Sequence, residues 1–268
     1  MTEEQYITAL KNNPHGVRNI PNPTEEMQLV CVEQNGMLLQ YIKNPTDRVI
    51  ETALAQSPRA IQYVDNPSDE LLISLVKQDW AVLEYIQHPS DDVVRIALDQ
   101  SGWAIRYITN PSEELQLRAV ETQYDVLQYI ANPSERVQMA AVKSNYLSLR
   151  YIQNPTLDIL KAAVLQDPQA MRQITNLDLD TVVELLKVST LILGYVPKQI
   201  GLTVDMVRQI ITEMIANPAV EDRYVREIVS NPAIGGRQST WPIDVLSLVD
   251  AYGSIEAKKI AIDQYLLY

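Results

Sequence analysis

Apolar residues recur along this chain in a figure that repeats every 22 residues. Taking the proline of each unit as position 1, the apolar slots are 5, 9 and 10, then 16, 17 and 20. One unit supplies Leu115, Ala119, Val120, Val126, Leu127 and Ile130; the next begins Val137, Ala141 and Val142. Spacings of four and one place the first set on one side of a helix. The pattern predicts a helix A from about position 3 to position 12 and a shorter helix B from about position 14 to position 20. Position 9 is nearly always Ala or Cys, which predicts a close contact there.

Between units stands one phrase, Tyr-Ile-x-Asn-Pro-Ser/Thr, as in Tyr41-Ile42-Lys43-Asn44-Pro45-Thr46. Its tyrosine returns at Tyr63, Tyr85, Tyr107, Tyr129 and Tyr151, and its proline at Pro23, Pro45, Pro67, Pro89, Pro111, Pro133 and Pro155. Proline pushes the residue before it out of the right-handed helical region, so each Asn-Pro step ends helix B. The Asn side chain is also expected to satisfy backbone groups at the corner. The Ser or Thr that follows caps the next helix A by accepting a free backbone N–H. The reciprocal capping box is not expected, because Val, Leu, Met or Ile stands three residues beyond the cap.

A two-helix unit of this size cannot bury its own apolar side, and stacked neighbours do it instead. The expectation is an all-α, curved α-solenoid, a superhelical stack of 22-residue two-helix repeats over residues 1–198. Eight repeats are clear, the first of them degenerate. A ninth is faint, with Asp178 as cap and Tyr195-Val196 on the corner phase. The phase is lost from about residue 199. Residues 199–268 read as a helical C-terminal cap with helices near 203–216, 220–229, 242–252 and 254–267.

Composition changes the picture little. Hydrophobic residues make up 46%, and no run of 18 apolar residues suggests a membrane span. Met1-Thr2-Glu3-Glu4 lacks the order of a signal peptide, and a single cysteine excludes a disulfide framework or a cysteine zinc cluster. A cytoplasmic setting is expected. Charge is more informative: the net value of -12 disfavours nucleic-acid binding, which needs clustered Lys and Arg.

The acids are not spread evenly. Positions 3 and 4 carry 13 of the 22 acids in residues 1–176, among them Glu25, Asp69, Asp91 and Glu135. The plainer reading is that they complement helix N-termini. The sharper one is an acidic ridge for a protein with a basic surface.

Two segments carry a family resemblance. Cys31-Val32, Asn35 and Leu39-Gln40-Tyr41 in one, and Ala141-Val142, Asn145 and Leu149-Arg150-Tyr151 in the other, share an order of Ala-Val (Cys-Val in the first), Asn and Leu-x-Tyr. It resembles the short two-helix repeat family catalogued as domain of unknown function 4116. The resemblance covers about residues 1–176 and departs in the invariant repeat length and the Asn-Pro corner. It implies an α-solenoid of phage or viral type, no catalytic residues, and the role of a phage-encoded factor that binds and inhibits a host defence protein in the host cytoplasm.

Three sets of residues are candidates for contact with a partner. The tyrosines of the corner align along one side, with their plainer role being packing between helices B, each hydroxyl reaching the next corner. Beside them, position 18 varies, and Arg106, Arg150 and Arg172 could grip a carboxylate or other anion. At the opposite turn, Trp80, Trp103, Tyr124 and Tyr146 are anchor-type residues whose plainer role is to fill a gap between short helices. The loop Gly235-Gly236-Arg237-Gln238-Ser239-Thr240 matches no phosphate-loop spacing. No catalytic or metal constellation stands out. His15 and His88 lie at different repeat positions, and His88 replaces a corner Asn. No cofactor is expected. The leading expectation is a non-enzymatic, protein-binding scaffold. Alternatives are a small-molecule or nucleotide binder using the arginines or the Gly-Gly-Arg loop, and a helical-repeat nucleic-acid-processing protein. Leu191-Ile192-Leu193 and Ile211 to Ile215 either cap the solenoid or form a homodimer contact through the C-terminal helices.

Overall fold

The structure, a computed structural model, describes residues 1–235 and 239–266. Among the described residues the chain is all-α, an array of helical repeats, with a single isolated bridge between Ile234 and Trp241. Helix A runs from position 3 to position 12 as the pattern predicts: Glu25–Gln34, Asp47–Gln56, Asp69–Gln78, Asp91–Gln100, Glu113–Thr122, Glu135–Ser144 and Leu157–Gln166. The cap hydroxyls of Thr24, Thr46, Ser68, Ser112, Ser134 and Thr156 accept the N–H three residues on. The degenerate first repeat differs from expectation. Its helix Glu3–Asn12 does have a capping box, because Gln5 stands where later repeats have an apolar residue.

Helix B is a 3-10 helix of six residues that stops at position 19, one short of the pattern: Gly36–Tyr41, Pro58–Tyr63, Trp80–Tyr85, Gly102–Tyr107, Tyr124–Tyr129, Tyr146–Tyr151 and Pro168–Gln173. In so short a segment, bonding three residues back lets each N–H find a carbonyl sooner than α bonding would. Leu38 N–H donates to the Asn35 carbonyl and Ile42 N–H to the Leu39 carbonyl, both at 3.0 Å. The side chain of position 13 caps this helix in Asn35, Asp79, Ser101, Asn145 and Asp167.

The corner works through backbone geometry. Asn44, Asn66, Asn110 and Asn132 have φ of 53°, 49°, 54° and 51°. This is the left-handed region, which Asn tolerates better than most residues. The expected role for the corner Asn side chain in satisfying backbone groups does not appear: these side chains make no hydrogen bond among the described residues, and neither does exposed His88.

Two compact units make up the chain, Met1–Tyr129 and Ile130–Tyr268. In the first, positions 5, 9, 10, 16 and 17 form the core, as in Val93, Ala97, Leu98, Ala104 and Ile105, all at most 1% exposed. Cys31 takes the Ala position there, and burial pushes its thiol up to about 11. Native protein should therefore resist thiol reagents at pH 8, with modification following unfolding; stoichiometric labelling within minutes would contradict the burial.

Polar side chains stitch one repeat to the next. Cap hydroxyls also donate backward to the position-3 carboxylate of the preceding repeat: Thr24 to Glu3 and Thr46 to Glu25 at 2.6 Å, Ser90 to Asp69 and Thr156 to Glu135 at 2.7 Å. At the other end of helix A, Gln100 donates to the Val76 carbonyl and Gln166 to the Lys143 carbonyl, both at 2.7 Å. Gln56 accepts from Gly36 N–H at 2.6 Å.

The second unit holds three repeats and the tail helices Val204–Ala216, Asp222–Ser230, Val245–Tyr252 and Ile255–Tyr265. Ile192, Leu193, Ile211 and Ile215 are buried in its core, at most 3% exposed. Most of the large apolar side chains that remain exposed in this unit, Leu246, Tyr252, Ile255, Ile262, Tyr265 and Leu266, lie on or next to the last two helices. A cleft of about 300 Å³ runs between those helices, lined by Leu246, Val249, Ala261, Ile262, Tyr265 and Leu266. No helix among the described residues is long and apolar enough to cross a membrane.

Candidate functional site

In the first unit, two sets of residues that the sequence keeps apart come together. Helix B buries positions 16 and 17 and turns positions 15, 18 and 19 outward. A 3-10 helix superposes residues three apart, so 15 and 18 share a side. The aromatic at position 14 or 15 then meets the tyrosine at position 19 of the following repeat. Trp80 faces Tyr107 with ring centres 6.4 Å apart, and Trp103 meets Tyr129 edge-on at 5.5 Å. Each such pair contributes about 0.5–1.5 kcal/mol beyond its buried area. The tryptophans are half-buried, so they both bind repeats together and show a ring edge to solvent. Tyr129 is 46% exposed.

The tyrosine hydroxyls do not reach the next corner, as the sequence suggests they would. Instead the rings carry arginines. Arg106 lies over the ring of Tyr107 at 4.6 Å and donates to its hydroxyl. That hydrogen bond, more than the nearby charges, holds the guanidinium above the ordinary arginine range. Arg59, at position 15, lies over Tyr85 of the next repeat at 5.5 Å. It is the site residue that the sequence reading missed. The signal was there: positions 15 and 19 of successive repeats are 26 residues apart, the same separation that links Trp103 to Tyr129.

Most of the remaining candidates lie in the second unit. Arg150 stacks on Tyr151 at 5.9 Å and Arg172 on Tyr195 at 5.1 Å. Tyr146 packs on the core of that unit, and its N–H donates to Gln166. Tyr124, in the first unit, is half-buried with no ring partner among the described residues. In the Gly-Gly-Arg loop, Gly236, Arg237 and Gln238 lie outside the described residues.

None of Arg59, Arg106, Arg150 and Arg172 pairs with a carboxylate among the described residues. By contrast Arg95, Arg118 and Arg223 do: Arg95 with Asp92 at 2.8 Å, Arg118 with Asp99 at 2.5 Å, and Arg223 with Glu227 at 2.9 Å. The acidic edge is occupied differently. Its position-3 acids accept cap hydroxyls, and Glu70 is held below the usual carboxylate range by its own backbone N–H and then by the Ser68 hydroxyl. The charge at these helix N-termini thus has a structural role.

Corner clefts vary with position 6. Gln28, Gln116 and Gln138 donate to the carbonyl of their own repeat's proline at 2.8–2.9 Å. Where Leu72 stands instead, a cleft of about 420 Å³ opens among Gln62, Asn66, Asp69, Tyr85 and His88. No three acidic, His or Cys side chains among the described residues are grouped to hold a metal ion. No family model, curated protein or solved structure matches this chain.

Proposed function

We propose that this protein is a non-enzymatic scaffold that binds a partner protein on the outward side of its 3-10 helices. The observation that carries this reading is the row formed by Arg59, Tyr85, Trp80, Tyr107, Arg106 and Trp103 in the first unit. Trp, Tyr and Arg are the residues that dominate binding hot spots, and Trp and Tyr offer large area with few lost rotamers. Here they are pre-set by stacking on one another, which lowers the ordering cost of binding. Helix A and the core hold this row in place while the residues at position 18 vary from repeat to repeat: Gln40, Gln62, Glu84, Arg106 and Gln128. Variation on a constant frame is how a repeat surface selects one partner.

The test is affinity capture with the full chain, followed by a titration against the captured partner. Trp80→Ala together with Trp103→Ala is expected to weaken binding at least a hundredfold, as two hot-spot residues of ~2 kcal/mol would. The loss of two ring contacts should lower the melting temperature by only a few degrees. Loss of helical circular dichroism in the double variant, or unchanged binding, would overturn the reading.

A further inference from the structure

We infer that the outer side of the last two helices, Val245–Tyr252 and Ile255–Tyr265, is a contact surface for a second copy of this chain. The helix Ile255–Tyr265 is apolar on two sides, and the protein covers one of them. Ala257, Ile260 and Ala261 are buried in the core of the second unit. Ile255, Ile262 and Leu266 recur at intervals of seven and four on another side, with Tyr265 beside them. These four side chains are 60–76% exposed. A helix that is apolar on both sides is patterned for burial on both. Leu246, 43% exposed at the start of the facing helix, extends the patch. Five large side chains at these exposures supply most of the ~800 Å² that each partner buries in a stable interface.

Shape and charge together select a second copy as the occupant. A two-fold contact uses the same patch on both sides, so sockets and projecting side chains must lie together. Here they do. The cleft of about 300 Å³ between the two helices is a socket, and the exposed Ile262, Tyr265 and Leu266 stand at its rim. A second cleft of about 410 Å³ shares Leu246 and Tyr265 with it and is floored by Ile228, Ile234 and Ile243. The charges also complement themselves. Asp250 on one helix and Lys258 on the other line the first cleft, and neither forms an ion pair among the described residues. A two-fold axis through the patch sets each Asp250 against the partner's Lys258, which gives two ion pairs beside one apolar contact. Glu256 and Lys259, by contrast, pair with each other at 2.9 Å and border the patch with Asp263, as a polar rim borders an interface core. A lipid surface fits less well. Asp244, Asp250, Glu256 and Asp263 outnumber Lys258 and Lys259 here, whereas helices that lie on anionic lipid carry a basic excess. A dimer would display the Trp80 and Trp103 surface twice, so a partner with two sites would be held more tightly than by one copy.

Sedimentation velocity of the full chain at tens of micromolar should show a species of twice the chain mass. Ile262→Glu should shift it to the monomer with unchanged circular dichroism, since that side chain is exposed. Lys258→Glu and Asp250→Lys should each weaken association at least tenfold, because like charges then face each other across the axis. An equimolar mixture of those two variants should recover the dimer. In the mixed pair both contacts again join opposite charges, a recovery that pairing within one chain could not give. A monomer for the unaltered chain, a dimer that survives Ile262→Glu, or a mixture that stays monomeric each overturns the inference. So does a chain that is monomeric in solution and sediments only with phosphatidylserine-containing vesicles, which would make the occupant lipid. None of these failures touches the scaffold reading, which rests on the first unit.

Discussion

Gly102→Ala, which adds one carbon, is expected to destabilise the first unit by about 2 kcal/mol. A Cβ built on Gly102 would lie 2.4 Å from the carbonyl oxygen of Ala119 in the following repeat. That oxygen belongs to the backbone and already accepts the N–H of Gln123 at 2.9 Å, so it cannot swing aside. The two repeats must move apart, and Ala119 and Val120, both fully buried, lose their close fit. Overpacking of this kind costs about 1–3 kcal/mol, whereas Ala in place of Gly restores only ~0.4–1 kcal/mol by restricting the unfolded chain. The clash wins. Gly36 has the same relation to the Ala53 carbonyl, at 2.2 Å. Other repeats place Trp80 or Tyr124 at position 14, so the gap is adjusted repeat by repeat and Gly102 is fitted to its own neighbour. Urea denaturation followed by the far-ultraviolet signal gives the measurement. A loss below 0.5 kcal/mol would mean that the array breathes enough to absorb the carbon.

How far the sequence discloses this molecule depends on the range of each interaction. Helix A was legible to the residue because its start and stop are local: a Pro-Ser/Thr step at one end, a polar residue at position 12 or 13 at the other. The tail helices were legible for the same reason, through Thr203, Gly253 and Ser254. Helix B was legible as a helix but not as 3-10. Six residues with apolar slots at 16, 17 and 20 look alike in either form, and only the hydrogen-bond pattern separates them. The cap-to-carboxylate ladder was not legible, since Thr46 and Glu25 are 21 residues apart and meet only once the stacking register is known. The site was half legible. Residue types at positions 14, 15, 18 and 19 marked an unusual surface, but the sequence put the tryptophans and the tyrosines at opposite turns. Short 3-10 helices bring those turns together, and that makes Trp80, Tyr107 and Arg106 neighbours.

Arg223→Ala should be more damaging to the second unit than loss of the carboxylate it holds. Glu227, in the helix Asp222–Ser230, is 8% exposed. It accepts from Ser189 Oγ at 2.8 Å and from Arg223 Nη1 at 2.9 Å. Arg223 also donates to the Val188 carbonyl at 2.9 Å, and Asn231 donates to the Thr190 carbonyl at 2.8 Å. These bonds fasten the turn of the ninth repeat to the helix Asp222–Ser230 and the Asn231 that follows it, and the Trp241 indole N–H donates to the Leu193 carbonyl of the same turn. Removing the arginine leaves a buried carboxylate with one neutral donor, and breaking a buried pair in this way costs about 3–5 kcal/mol. Because Arg223 is 39% exposed, solvent can reach into the site, and about 3 kcal/mol is expected. Glu227→Ala instead frees an arginine that can hydrate and strands only the Ser189 hydroxyl, about 1–3 kcal/mol. The double variant should be no less stable than Arg223→Ala alone, since the charge left stranded by the first change is removed by the second. Urea melts of the four proteins, followed by tryptophan fluorescence, decide the order. If Glu227→Ala proves the worse single change, the carboxylate serves chiefly as a partner for Ser189, and the arginine is a surface charge that happens to lie near it.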